Sequence, residues 1–165
     1  MLRAHKNIKD VSYILDNLRP EDLEELQALW GENWREETLN NIMNTNFEVL
    51  LGKEKKKKTP VCMGGIWEVK EGIGCAWLLS TPEVKNHRHC LLREVRREIE
   101  KSKEKFFFIY NFIYEKNFEA KRWLKWLGFR FDNPHPKGIE VPKGFEFFYF
   151  MKSFNRPSIE RADNL

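Results

Sequence analysis

Several features are scarce in this sequence, and each scarcity narrows what the chain can be. No run approaches the roughly eighteen apolar residues of a membrane-spanning helix, and the first residues lack the basic-then-apolar pattern of a signal peptide. The expectation is a soluble, cytoplasmic protein with no membrane partner. Cysteine is limited to Cys62, Cys75 and Cys90, an odd number at wide spacings. That speaks against a secreted disulfide framework and for buried, reduced thiols. Charge of neither sign dominates: 29 Lys and Arg are offset by 25 Asp and Glu, leaving a net +4. Such a balance permits an anionic ligand without demanding nucleic acid. No phosphate-binding loop of the G-x-x-x-x-G-K type is present, and no Ser/His/Asp or Cys/His nucleophile can be argued from spacing. No internal repeat or linker divides the chain, so 1–154 is expected as one domain, with a loose polar tail over 155–165.

Aromatic residues are abundant instead. With thirteen Phe and six Trp among 165 residues, the chain can bury a core without staples, and bulky rings should fill much of it. Leu2 to His5 reads as a short edge strand. Val11, Ile14, Leu15 and Leu18 form the stripe of a first amphipathic helix. Pro20, Glu21 and Asp22 restart a helix whose apolar face holds Leu23, Leu26, Leu29 and Trp30. A third helical piece is expected from Arg35 to Met43.

The texture then turns to strands over Phe47 to Leu51, Val61 to Val69 and Ile73 to Leu79, an antiparallel meander. Between the first two, Gly52 to Pro60 reads as a charged, solvated connection. After Thr81-Pro82 the period becomes helical, with Leu92, Val95 and Ile99 on one stripe and Arg93, Arg96 and Arg97 off it. Phe106 to Tyr114 is a nearly unbroken apolar run, as in a strand buried on both sides. A helix over Asn117 to Leu127 and an aromatic strand over Phe145 to Met151 follow. This order describes an α+β domain with helices around a sheet.

Two constellations carry little specific chemistry. His87-x-His89-Cys90 supplies metal-ligand types, but no second cluster completes a site, and no metal is expected. The Lys55 to Lys58 run has the charge to meet nucleic-acid phosphates. Its aromatics lie elsewhere in core-like runs, so a solvated hairpin tip is the simpler reading and nucleic acid is not an expected partner.

The segment from Asn117 to Phe129 is more telling. Asn117 is a good N-cap, Ala120, Leu124 and Leu127 share a face, and Gly128 sits where a left-handed C-cap is wanted. This N-x-x-A…G-F pattern, directly after a buried strand, resembles the signature of the GNAT acyl-CoA N-acyltransferases. A closer resemblance is to small GNAT-like proteins of tailed bacteriophages. It rests on Trp77-Leu78-Leu79-Ser80-Thr81-Pro82, an Arg-rich helix, Tyr110-Asn111-Phe112-Ile113, and Arg122 to Phe129.

The resemblance implies a mixed, largely antiparallel central sheet whose fourth and fifth strands splay apart, flanked by helices. It implies acetyl-CoA as co-substrate, with its pantetheine arm between those strands. The reaction would be direct attack of a primary amine, small-molecule or protein, on the thioester. Backbone groups of Leu78, Leu79 and Ser80 would hold the arm, and Asn117 would shape the slot. Asn111, an amide in an apolar strand, either satisfies the splayed edge or touches the ligand. One phage branch of these proteins is an internal virion protein. A packaged virion or morphogenesis protein that keeps the fold without the chemistry, in contact with other virion proteins, is therefore the alternative.

Two departures bear on the chemistry. The family's glycine-containing pyrophosphate loop corresponds here to Glu83 to Cys90, which contains no Gly. Lys85, Asn86, His87, Arg88, His89 and Cys90 would meet the phosphates by charge and polarity instead. The position of the family's acid Tyr holds Leu124, which has no proton to donate. Tyr110 and Tyr114 are the substitutes at hand, unless both are simply core aromatics. Glu68, near the end of the meander's second strand, is the candidate base.

Overall fold

Local chemistry sets the helical start of the chain. In the computed structural model, which describes residues 2–4, 7–54, 57–131 and 147–154, a short strand β1 (Leu2–Ala4) leads into α1 (Ile8–Asp16). Asn7 caps α1, its side-chain oxygen accepting the Lys9 N–H at 3.0 Å, and Val11, Ile14 and Leu15 bury its apolar stripe. Pro20 opens α2 (Pro20–Trp30), where its missing N–H has no helical partner to lose, and Glu21 and Asp22 follow in the first turn. A 3-10 turn over Gly31–Asn33 joins α2 to α3 (Trp34–Met43).

The sheet is built next. β2 (Glu48–Glu54), β3 (Lys57–Lys70) and β4 (Ile73–Ser80) form the meander. α4 (Val84–Ser102), β5 (Phe108–Tyr114), α5 (Phe118–Trp126) and β6 (Phe147–Ser153) complete the fold. The strands lie in the order β1-β2-β3-β4-β5-β6. Every neighbouring pair is antiparallel except β4 and β5, which run parallel. This is the mixed, largely antiparallel sheet that the family resemblance implied.

The sheet's two faces bury different partners. On one, Val11, Ile14 and Leu15 of α1 and Ile42 of α3 pack with Phe47, Val49 and Met63. On the other, Ile99 of α4 and Leu127 pack with Ile109, Ile113, Phe129 and Phe150, while Val84 and Leu91 pack with Leu50, Val61 and Cys62. By area, each such fully buried aliphatic or aromatic side chain contributes about 1.5–3 kcal/mol.

Three element boundaries differ from the sequence expectation. The connection expected over Gly52 to Pro60 is largely zipped into the ladder, with Gly52 opposite Thr59, Lys53 opposite Lys58 and Glu54 opposite Lys57. The register shifts between Leu50 and Leu51, and pairing then continues outward through the lysines despite their weak strand preference. β5 starts at Phe108, two residues late. The Phe106 N–H closes on Ser102 O at 2.8 Å and the Phe107 N–H on Gly72 O at 2.6 Å, so these residues finish the exit from α4. Gly72 turns at φ +73°, and a Cβ there would sit 2.2 Å from the Phe107 ring, so only glycine fits this corner. β6 is centred two residues further on than expected, and Phe145, Glu146, His5 and the tail 155–165 lie outside the described residues.

The end of α5 follows the sequence closely. Gly128 adopts φ +84°, its N–H donates to Lys125 O at 3.0 Å, and the Phe129 N–H reaches Leu124 O at 2.9 Å. The Phe129 ring then meets Phe150 edge-on, with centroids 5.3 Å apart.

Candidate functional site

The two parallel strands separate. β4 and β5 register only through Ile73–Phe108, Gly74–Ile109 and Cys75–Tyr110. Beyond those pairs Asn111 wedges the gap open: its Nδ2 donates to Ala76 O at 2.9 Å while its Oδ1 accepts the Phe112 N–H at 2.8 Å. Both ends of the amide are thereby engaged within the sheet. Strand alternation turns Leu78 the same way as Ala76 and Ser80, so its backbone faces the gap between them. A cavity of about 620 Å³ occupies this region, lined in part by Leu78, Leu79, Leu91, Asn111, Ala120, Trp123 and Leu124. Its walls are mainly apolar, with polar groups at the ends.

The outer end of the gap is crossed by α2. Asp22 accepts the Ser80 N–H at 2.9 Å and the Ser80 hydroxyl at 3.0 Å, and the Arg19 N–H donates to Ser80 O at 2.9 Å. Glu25, one turn later, accepts the Tyr114 N–H at 3.4 Å and the Asn117 amide at 3.3 Å. The Arg19 guanidinium lies between strands and helix, 2.7 Å from Asp22, 3.5 Å from Glu119 and 5.7 Å from the centre of the Trp123 ring. Its Nε is buried without a hydrogen-bond partner among the described residues. Burial disfavours the Arg19 charge, but the Asp22 hydrogen bond and the charges of Asp22, Glu21 and Glu119 outweigh it and raise its pKa. Burial, reinforced by the Asp22 charge, pushes the Glu25 carboxyl up to about 7 against the opposing hydrogen bonds from Asn117 and Tyr114 and the Arg19 charge.

Solved structures share this architecture. The ribosomal-protein-alanine N-acetyltransferase of Brucella melitensis superposes with a TM-score of 0.57 at 16% identity, over 93% of this chain and 100% of that one. The spermidine N-acetyltransferase of Vibrio cholerae, in complex with CoA and spermine, gives 0.60 at 13% identity over 92% and 94%. The ribosomal-protein-S18-alanine N-acetyltransferase of Escherichia coli gives 0.61 at 11% identity over 96% and 97%. The fold is that of the GNAT acetyltransferases. No family model matches the sequence, and no curated protein does.

Within this GNAT fold the entry to α4 is a tight turn rather than an open cradle. The N–H groups of Val84, Lys85 and Asn86 donate to the carbonyls of Thr81, Pro82 and Glu83 at 3.1, 3.3 and 3.0 Å. Of the six residues expected there, Lys85 borders a second, smaller cavity. Asn86 is tied to Glu83 at 2.9 Å, and Arg88 and His89 are exposed. His87 turns under the β2 strand, where a Cβ on Gly52 would sit 2.5 Å from its Nε2, and that nitrogen is buried without a hydrogen-bond partner among the described residues. Cys90 is half-buried and lies 3.7 Å from Arg93. The smaller cavity, about 410 Å³, is bordered by Lys85, Glu21, Lys116, Phe118, Glu119 and Arg122. Positive charge therefore converges from α4, the β5–α5 turn and α5 rather than from one loop.

The remaining expected residues lie apart from the slot. Glu68 is held on the surface by Lys105 at 2.8 Å, a hydrogen bond that lowers its carboxyl pKa, and it does not line the cavity. Tyr110 packs between Phe108 and Phe112 at 6.1 and 6.5 Å, with its hydroxyl pKa raised by burial and then by Cys75. Tyr114 is buried beside Lys116. Neither Tyr lines the main cavity. Cys62 and Cys75 are buried thiols pushed up to about 12 by burial, which leaves them unreactive. Sequence reasoning passed over Arg19, Asp22 and Glu25, which read only as a helix start. It also passed over Lys116, and it took Arg122 and Trp123 only as part of the family resemblance, not as site residues.

Proposed function

We propose that the protein is an acetyl-CoA-dependent N-acetyltransferase. The observation that carries this is the unpairing of β4 from β5 after Cys75 and Tyr110, which leaves an apolar slot in the middle of the sheet. The slot fits a pantetheine arm: the Leu78 backbone faces it, Asn117 stands at its outer end, and Lys85, Lys116 and Arg122 border the adjacent cavity. Those three cations suit the cofactor's phosphates, replacing by charge the backbone cradle that α4 lacks. The exposed Phe118 ring beside them offers a face for the adenine.

The amine lone pair attacks the thioester carbonyl carbon, the C–S bond breaks, and the thiolate leaves and takes up a proton. Holding the two reactants in line in a dry slot supplies most of the acceleration. The Leu78 N–H is placed to donate to the carbonyl oxygen as charge develops. Glu25, the cavity-lining carboxyl whose pKa is near 7, is better placed than Glu68 to draw a proton from the attacking ammonium through water.

A second reading draws on Leu124, which lines the slot without a proton to donate, and on the engaged amides of 84–86. These favour a protein that keeps the fold without the chemistry, such as a phage virion or morphogenesis protein. Incubation with acetyl-CoA and a panel of amines, spermidine and an N-terminal alanyl peptide among them, separates the two. The first reading expects free thiol released in step with an acceptor. No release above the blank with any acceptor, from protein shown to be folded, overturns it.

A further inference from the structure

The donors that a cofactor arm would use at the outer end of the slot already have intramolecular occupants. The Ser80 N–H and hydroxyl are taken by Asp22, and the Tyr114 N–H and Asn117 amide by Glu25. The two carboxylates sit one turn apart on α2 and reach to opposite walls, one to β4 and the other to the β5–α5 corner. Helix α2 therefore spans the open end of the splay. Resting on the acetyl-CoA reading above, we infer that α2 is a clasp over this slot, anchored on β4 through Asp22 and latched on the β5–α5 corner through Glu25. The Glu25 latch lets go when the cofactor arm takes its place.

The two attachments are unequal in a way that fits anchor and latch. Asp22 uses both oxygens, at 2.7 Å to Arg19 and at 2.9 and 3.0 Å to Ser80, and the Arg19 N–H adds a backbone bond at 2.9 Å. Glu25 uses a single oxygen for both of its donors, at 3.3 and 3.4 Å, and forms no ion pair within 4 Å among the described residues. Long bonds on a shared acceptor are weak, so this side opens first. Arg19 bridges the two walls as well, but its contact to Glu119 on α5 is the long one, at 3.5 Å against 2.7 Å to Asp22. The geometry gives α2 a firm pivot on β4 and a loose hold on β5 and α5. Release would free the Asn117 amide on the slot wall and the Tyr114 N–H behind it, donors that suit the carbonyls of an amide-containing arm.

The prediction is a gain of binding, the reverse of what losing a ligand-contacting residue does. A closed fraction lowers the apparent affinity in proportion to its population. Glu25→Ala removes two weak hydrogen bonds from the closed state and should bind acetyl-CoA roughly five- to tenfold tighter than the parent by titration calorimetry. Equal or weaker binding by the variant, alongside measurable binding by the parent, overturns the clasp and leaves the cofactor reading standing. Absence of binding to both proteins overturns the cofactor reading itself. Hydrogen exchange on the unaltered protein tests the same point without a substitution. Adding acetyl-CoA should speed exchange across 20–30 while slowing it across 111–120, and slowing across both segments overturns the inference.

Discussion

The gap between β4 and β5 is closed twice, and the two closures differ in kind. At the inner end Asn111, an uncharged amide belonging to the sheet, ties Ala76 O to the Phe112 N–H with bonds of 2.9 and 2.8 Å. At the outer end Arg19, just before α2, and Asp22 and Glu25 within it act from outside the sheet, around a guanidinium whose Nε has no partner among the described residues. A neutral amide replaces missing ladder bonds without desolvating an ion. Buried carboxylates and a buried guanidinium gain only if every partner stays in place. The inner closure thus belongs to the fold, and the outer one is the closure whose balance can be tipped.

Removing Asp22 should show this difference most strongly. Asp22→Ala leaves Arg19 buried beside unpaired Ser80 donors and is expected to cost about 3–5 kcal/mol in urea unfolding. A cost below that of opening the inner closure would break the comparison.

Glu25 is the next test, through pH. Its folded-state value of about 7 lies above that of an exposed carboxylate, so the folded chain keeps a proton that the unfolded chain releases. The stability this group contributes is complete below about pH 4 and is lost as pH rises through about 7, by up to about 3 kcal/mol. Glu25→Gln should flatten that part of the profile, and parallel profiles for parent and variant would contradict the assignment. Asn111→Ala should cost less than Asp22→Ala, about 1–2 kcal/mol, because Ala76 O and the Phe112 N–H lose one neutral partner each. The smallest effect belongs to Glu68→Gln. An exposed pair with Lys105 contributes little, so turnover should stay within about twofold of the parent.

The sequence shows some of these features more clearly than others. The capped helix from Asn117 to Gly128 was legible because caps are written in adjacent residues, and the apolar run before it marked a central strand. The hairpin over Gly52 to Pro60 was not, because ladder pairing is decided by the partner strand rather than by local preference. Arg19, Asp22 and Glu25 look like an ordinary acidic helix start until the fold brings Ser80 and Asn117 beside them, some 58 and 92 residues away along the chain. The cation cluster is hidden for the same reason, since Lys85, Lys116 and Arg122 converge from three elements. Spacing along one helix cannot show which side chains will border a common cavity.

The central claim, that the splayed slot takes acetyl-CoA, is tested most directly by the unfolding temperature of the unaltered protein with and without the cofactor. Ligand at about a hundred times its dissociation constant stabilises the folded state by roughly 2.7 kcal/mol, which for a domain of this size raises Tm by about 5–10 °C. The account predicts a saturable rise of that order with acetyl-CoA. An unchanged Tm at millimolar acetyl-CoA would contradict it.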